Sequence, residues 1–115
     1  MPNTSGLGYN INVPLKSDAE CKGILGSFEK KLMPKVKALK PDLVLISAGF
    51  DSRKDDRFGN FNITDEGFVK LTQMMMDVAE KYCHSRLVSV LEGGYNLEGL
   101  ALATDAHLKT MLEYS

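Results

Sequence analysis

Two short segments of the chain carry residue types that can do chemistry. Asp51 ends the segment Ala48-Gly49-Phe50-Asp51, and Tyr95 lies within Glu92-Gly93-Gly94-Tyr95-Asn96; each segment directly follows an apolar run. The Asp51 carboxylate can bind a metal, act as a base or cap a turn, and an Asx-type turn that only orders the loop is the structural alternative. The Tyr95 hydroxyl can donate a hydrogen bond to charge developing on a substrate oxygen. Alternatively, the ring covers the rim of the core with its hydroxyl in water.

The glycine pair Gly93-Gly94 gives the second segment unusual backbone freedom and lets it approach a ligand closely. A glycine turn before a helix N-terminus also suits an anion such as phosphate. The chain has neither a Gly-x-Gly-x-x-Gly nor a Walker pattern. The residues alone therefore leave both interpretations open.

Three other groups of residues resemble sites but are better interpreted as structural. Cys83-His84 precedes a predicted strand, so it belongs to the opposite edge of the sheet, roughly 17 Å from Asp51. Asp105 and His107 are two residues apart in a predicted helix and point to different faces, so we interpret His107 as a packed or capped histidine. Met74-Met75-Met76 is interpreted as helix packing.

The elements that position the two loops are predicted as three strand–helix units. Residues 9–15 alternate apolar and polar side chains, which is typical of a strand with one covered face. A helix is predicted over 17–39, with Ser17 as its N-cap. Pro34 lies inside this helix and is expected to kink or split it.

The next two strands, 43–47 and 87–91, are continuous apolar runs, typical of strands covered on both faces. Thr64 is predicted to cap the helix after the first of them, and Asn96 to cap a last helix that ends near residue 114. The predicted inner face of this last helix comprises Leu97, Leu100, Thr104, Leu108 and Met111.

Strands that alternate with helices predict a parallel sheet with right-handed crossovers. In such sheets ligands bind beyond the carboxyl ends of the strands. The loops carrying Asp51 and Tyr95 both follow such ends, so we expect them to open onto the same edge of the sheet.

Length and composition restrict the broad class of protein. The chain has 115 residues, enough for one small domain, and a net charge of -1, which gives no indication of binding to nucleic acid or an acidic membrane. It contains no apolar run near 18 residues and no leader-like start. Two widely separated cysteines favour a reducing, cytoplasmic setting.

Four segments, in order along the chain, resemble the histone deacetylase superfamily, which includes the acetylpolyamine amidohydrolases. They are residues 8–15, 41–51, 59–64 and 91–97. Phe50 before Asp51 and Glu92 before the glycines are more similar to the class II and bacterial branch than to class I. The resemblance implies a partial arginase/deacetylase fold, a three-layer α/β/α arrangement with a parallel sheet, in which residues 1–115 form the C-terminal portion of the domain.

The resemblance also implies a function, the zinc-dependent hydrolysis of acetyl-lysine or acetylpolyamine amides. Asp51 matches the third zinc ligand of the family, and Tyr95 the catalytic tyrosine that hydrogen-bonds the substrate carbonyl and its oxyanion. Gly93 and Gly94 match the turn beside the acyl tunnel. Tyr9 matches a position whose backbone carbonyl helps to hold a monovalent cation such as K⁺ in some members.

The chain departs from the family pattern in one respect. The family's other two zinc ligands, an Asp-x-His, and its tandem histidine base lie upstream of the part matched here. We therefore expect a deacetylase fragment that is inactive alone. A split enzyme with a complementing N-terminal half, or a non-catalytic binding module, are the alternatives. A partial sheet is also expected to expose apolar surface that earlier strands would cover.

Overall fold

Two parallel strands joined by a long helix form the centre of the structure, a computed structural model that describes residues 9–16, 19–56, 59 and 61–114. The elements, in chain order, are α1 (Cys21–Ser27), a π-helical turn (Phe28–Leu32), α2 (Met33–Leu39), β1 (Val44–Ala48), α3 (Asp65–Tyr82), β2 (Leu87–Leu91) and α4 (Leu97–Glu113). The predicted α/β class and parallel sheet are confirmed.

β1 and β2 pair in parallel, from Val44 opposite Leu87 to Ala48 opposite Leu91. Ser89 faces α4, whose His107 it contacts, so helices cover this face of the sheet. Leu45 and Val88 point to the opposite face, and 70% and 48% of their surface is exposed. The prediction that both strands are covered on both faces is therefore wrong for the described residues, which cover one face only.

The first predicted strand does not form. Residues 10–16 have no regular secondary structure, and no described strand pairs with them. A strand depends on a neighbour for its backbone hydrogen bonds, so alternation of side chains over 9–15 is not sufficient to produce one here.

The first predicted helix is split at the position of the proline. α1 passes into a π-helical turn, and Pro34 occupies the first turn of α2. Proline cannot donate an intrahelical hydrogen bond and its ring clashes with the preceding turn, so the ladder is rearranged just before it. The predicted cap Ser17 lies outside the described residues; the helix begins after Glu20.

The capping predictions for the two long helices are confirmed. The Thr64 hydroxyl accepts a hydrogen bond from the Gly67 amide at 3.1 Å, and the Asn96 carboxamide oxygen accepts one from the Gly99 amide at 2.8 Å. These bonds satisfy amides that a helix leaves without partners at its start.

The predicted inner face of α4 is wrong at two of its leucines. Leu97 is 80% exposed and Leu108 is 52% exposed. The buried residues of α4 are instead small or hydrogen-bonded: Gly99, Ala103, His107 and Thr110. The separation of packed helices depends on the side chains at their contact, and on α4 small residues face the interior while Leu97 and Leu108 face outwards.

Two apolar clusters form the core. One lies beneath the two loops and consists of Ile24, Ala48, Phe50, Ile63, Phe68 and Ala103. The other lies at the start of β1 and consists of Val44, Val78, Ala79 and Cys83. Among the described helices, none combines the length and the apolarity needed to cross a membrane.

Candidate active site

The loops that follow β1 and β2 lie side by side, as predicted. The Glu92 amide donates to the Ala48 carbonyl at 2.9 Å, and the Phe50 amide donates to the Gly93 carbonyl at 2.9 Å. The pairing of the two strands thus continues past their ends. It aligns the residues that precede Asp51 with those that precede Tyr95.

The Asp51 carboxylate occupies space that two glycines leave open. A Cβ atom on Gly93 would lie 3.2 Å from Oδ2 of Asp51, and one on Gly49 would lie 3.1 Å from Oδ1. Both distances are tight for a methyl group, so a side chain at either glycine would press on the carboxylate. Asp51 itself is only partly buried, so part of its surface remains accessible to solvent.

Gly94 turns the chain towards Tyr95. Its φ of 140° is one that residues with a side chain rarely adopt, and a Cβ there would lie 2.7 Å from Cδ1 of Leu100. Tyr95 follows this turn with 48% of its surface exposed. The structure therefore brings Asp51, Gly93, Gly94 and Tyr95 together at one edge of the sheet.

Asp56 ties the two loops together, and sequence reasoning missed it. Its Oδ2 accepts hydrogen bonds from the amides of Tyr95 at 2.7 Å and Asn96 at 3.3 Å. Its Oδ1 accepts from the Gly59 amide at 3.1 Å. A phosphate at this turn would need the same Tyr95 and Asn96 amides, so the anion-binding interpretation loses its donors to a carboxylate of the chain itself.

Arg53 is a second residue of structural importance that the sequence did not single out. It is 6% exposed, and its Nε and Nη2 donate to both carboxylate oxygens of Asp65 at 2.8 and 2.9 Å. Its Nη1 also contacts Asp55. These hydrogen bonds raise the pKa of Arg53 and lower the pKa of Asp65 below its usual range.

Arg53 also lies against the start of α4. A Cβ on Gly99 would lie 2.8 Å from Nη1 of Arg53 and 2.9 Å from Oδ1 of Asp55. Arg53 thus joins the loop after β1 to the first turns of α3 and α4. In the sequence it stands among six charged residues between 51 and 57, and local pattern does not distinguish it from its neighbours.

His107 is packed and hydrogen-bonded, as predicted. Its Nδ1 lies 2.8 Å from Oγ1 of Thr72, and its Nε2 lies 2.9 Å from Oγ of Ser89. Burial lowers the pKa of the imidazole, which keeps the ring neutral near pH 7. Asp105 points elsewhere, to an exposed ion pair with Lys109.

The Cys83-His84 pair is structural in the part of the chain described. Cys83 is fully buried and its thiol donates to the Pro41 carbonyl at 3.1 Å, while His84 is exposed. Cys83 packs at the start of β1, whereas Asp51 lies beyond its end. Both cysteines are free thiols.

Tyr9 lies away from the other predicted site residues. It is 74% exposed and lines a groove along α2 with Lys35 and Leu39. The structure therefore does not bring it together with Asp51 and Tyr95. Its role in holding a monovalent cation stays a prediction.

The described residues supply an incomplete donor set for a metal. A carboxylate such as Asp51 is an acceptable zinc ligand, but zinc sites use three or four protein ligands. Within residues 9–16, 19–56, 59 and 61–114, no three His, Cys, Asp or Glu side chains form a group that could hold a metal ion. The described residues therefore do not form a zinc site by themselves.

Comparison with known proteins identifies the family. A family model described as the histone deacetylase domain matches residues 2–111, so the chain belongs to the histone deacetylase family. It is 38% identical to type-2 histone deacetylase 2 of Dictyostelium discoideum over 92% of the chain and 6% of that protein. It is 36% identical to histone deacetylase 8 of Arabidopsis thaliana over 94% of the chain and 29% of that protein.

Solved structures confirm the fold at the level of the partial domain. The HD domain of HDA15 superposes with a TM-score of 0.88 and 34% identity, over 96% of this chain and 30% of that one. The histone deacetylase Clr3 superposes with a TM-score of 0.86 and 31% identity, over 94% and 18% respectively. The chain thus spans less than a third of the length of these relatives.

Proposed function

We propose that this chain forms one wall of the active site of a zinc-dependent deacetylase that hydrolyses acetyl-lysine or acetylpolyamine amides, and that it is inactive alone. The main support is the position of the Asp51 carboxylate against Gly93, two residues before Tyr95. Membership of the histone deacetylase family supports the choice of acetylated amines as substrates.

The proposal gives each residue of the sheet edge a separate role. Asp51 supplies one carboxylate ligand for zinc. Tyr95 donates its hydroxyl proton in a hydrogen bond to the oxygen on which charge develops during hydrolysis, an interaction that stabilises mainly the transition state. Gly93 and Gly94 form the turn beside the acyl group, and Gly93 leaves room for the Asp51 carboxylate. The remaining ligands and the base must come from residues outside the part of the chain described.

Among the described residues, β2 is the only strand that pairs with β1, so the edge of β1 on the side away from β2 has no strand beside it. This free edge supports the proposal that a complementing deacetylase segment packs here. Val44 and Ala48 bond to the β2 side, and parallel strands bond to one neighbour through alternate residues. Leu45 and Ser47 therefore direct their backbone groups away from β2. A pocket of about 440 Å³ extends along this edge, and apolar side chains, including Leu15 and Phe28, line much of it.

A chimaera provides the sharpest test. Residues 9–114 would replace the matching segment of the HDA15 HD domain, and zinc-dependent release of acetate would be measured on an acetyl-lysine peptide and on an acetylpolyamine. We expect activity from the chimaera and none from the 115-residue chain with added zinc. Activity of the chain alone would contradict its proposed inactivity. A folded, zinc-loaded chimaera that hydrolyses neither substrate would contradict the proposed function itself.

Two substitutions in the chimaera test the assigned roles. Asp51→Ala is expected to lower bound zinc and abolish hydrolysis. Tyr95→Phe is expected to lower kcat about 10²- to 10³-fold, the usual loss for one oxyanion donor, with zinc retained. Tyr82→Phe, at the end of α3, is the matched control. A non-catalytic binding module would instead show no activity in the chimaera, and Asp51→Ala and Tyr95→Phe would leave its binding to a partner unchanged.

A further inference from the structure

His107 lies where α4, α3 and β2 meet, outside the groups to which a role in hydrolysis was assigned above. It is 7% exposed, and both ring nitrogens have hydroxyl partners, Thr72 on α3 and Ser89 on β2. A buried imidazole with two partners on two other elements has a defined orientation, and its protonation can be derived from those partners.

The hydroxyl of Thr72 determines which nitrogen carries the proton. Oγ1 of Thr72 donates to the Phe68 carbonyl at 2.7 Å. A hydroxyl has one hydrogen, so towards His107 it can only accept, and Nδ1 must be the donor. Because the ring is neutral, Nε2 carries no hydrogen and accepts from Oγ of Ser89. The contacts therefore select the Nδ1–H tautomer.

The ring held in this way supports the residue next to Asp51. Phe50 meets His107 in an edge-to-face arrangement, with ring centroids 5.8 Å apart and planes at 64°. Phe50 meets Phe68 at 5.2 Å and 76°. The Phe50 amide in turn donates to the Gly93 carbonyl, so the contacts of His107 continue through Phe50 to both loops.

We propose that His107 is a positioning residue. As a neutral Nδ1–H imidazole it acts through Phe50 to hold the loop after β1, which carries Asp51, against the loop after β2, which carries Gly93. The consequence for hydrolysis rests on the proposed function, but the positioning itself does not. It is tested by loop geometry in the free chain, so its failure is distinguishable from a failure of the chimaera to hydrolyse substrate.

The tautomer is measured first, on the wild-type chain. In ¹⁵N-labelled protein near pH 7, long-range proton–nitrogen correlation spectra are expected to give a protonated-nitrogen shift at Nδ1 and an unprotonated shift at Nε2. A proton on Nε2, or a doubly protonated ring, would overturn the proposal without requiring a variant to fold.

Loop geometry is measured second, with two truncations of buried residues on the same helix. Thr110 is fully buried and its hydroxyl donates to the Ala106 carbonyl of α4. Thr110→Ala therefore controls for the effect of truncating any buried side chain of this helix. We expect His107→Ala to shift the amide resonances of Phe50, Asp51 and Gly93 more than Thr110→Ala does. Equal or smaller shifts would contradict the positioning role.

A milder variant covers the case in which His107→Ala does not fold. Ser89→Ala removes the partner of Nε2 and keeps the ring. We expect smaller shifts of the same three amide resonances in the same direction, with the Nδ1–H tautomer retained because Thr72 still requires a donor. Unchanged loop resonances in Ser89→Ala, in the absence of folded His107→Ala, would also count against the proposal.

Discussion

Two polar groups of side chains hold α3 and α4 behind the candidate site, and they do so by different physics. The arginine cluster, Arg53 with Asp55 and Asp65, is ionic, and its carboxylates remain 44% and 35% exposed. The histidine cluster, His107 with Thr72 and Ser89, is buried and neutral. Each joins a loop or strand at the site to the two long helices.

The difference follows from the cost of burying charge. An ion removed from water is stabilised only by close partners, and Arg53 has two carboxylates that stay partly hydrated. His107 has hydroxyl partners and an aromatic neighbour, none of them charged, so a proton there would be poorly compensated. The comparison therefore predicts that the two clusters lose their stabilising effect at different pH values.

The largest effect is expected from the arginine cluster. Arg53→Ala leaves two carboxylates without their cation and a gap beneath Gly99, and we expect the free energy of unfolding to fall by about 2–3 kcal/mol. This value lies between those of exposed and buried ion pairs because Arg53 is buried and its partners are not. Denaturation in urea measures it.

The control for Arg53 is an ion pair on the surface. Lys70 and Glu66 lie 3.9 Å apart on α3, with side chains 56% and 80% exposed, and Lys70→Ala is expected to cost less than about 0.5 kcal/mol. If Arg53→Ala and Lys70→Ala lowered the free energy of unfolding by similar amounts, the arginine cluster would stabilise the fold no more than a surface ion pair does.

The histidine cluster is expected to weaken in mild acid. The pKa of His107 is lowered from the usual 6.5 in the folded chain. Above pH 6.5 the histidine cluster makes its full contribution to the free energy of unfolding. Below it the unfolded chain binds a proton that folded His107 does not, so the free energy of unfolding falls until the folded pKa is reached. Urea denaturation at about pH 7.5 and about pH 5.5 spans the first part of this window.

Replacement of each histidine identifies the source of that pH dependence. His107→Phe removes the titrating ring, keeps aromatic packing against Phe50, and is expected to flatten the dependence between these two pH values. His84 is exposed with a positive φ of 52°, so His84→Asn is the matched control and should behave as wild type. A slope that persists in His107→Phe would place the titrating group elsewhere.

A smaller effect than that of Arg53→Ala is expected from Asp65, at lower pH. Its pKa is lowered from 3.8 by the hydrogen bond with Arg53, so its contribution is present above that pH and lost as the pH falls below it. We expect Asp65→Asn to cost about 1 kcal/mol at neutral pH, a value reduced for solvent exposure. The difference from wild type should vanish in strong acid.

Asp55→Asn provides the comparison within the arginine cluster. Asp55 is more exposed than Asp65 and contacts Arg53 through one nitrogen only, so its loss is expected to cost less. A larger loss for Asp55→Asn than for Asp65→Asn would show that the bidentate contact is not the stronger one.

The sequence by itself determined the features that depend on neighbouring residues. Thr64 and Asn96 cap helices through bonds to amides three residues away, and Pro34 disturbs its own turn. The apolar runs 43–47 and 87–91 mark two parallel strands, and parallel strands bring their following loops to one edge. Asp51 and Tyr95 could be placed near each other for that reason.

Only the tertiary structure decided the features whose partners are distant in sequence. Arg53 and Asp56 became distinct from the charged residues around them because Asp65, Tyr95 and Asn96 come to them in the fold. The inner face of α4 was decided by contact with α3, which favours small residues. Residues 9–15 form no strand because a strand's backbone bonds belong to a neighbour, and periodicity carries no information about whether that neighbour is present.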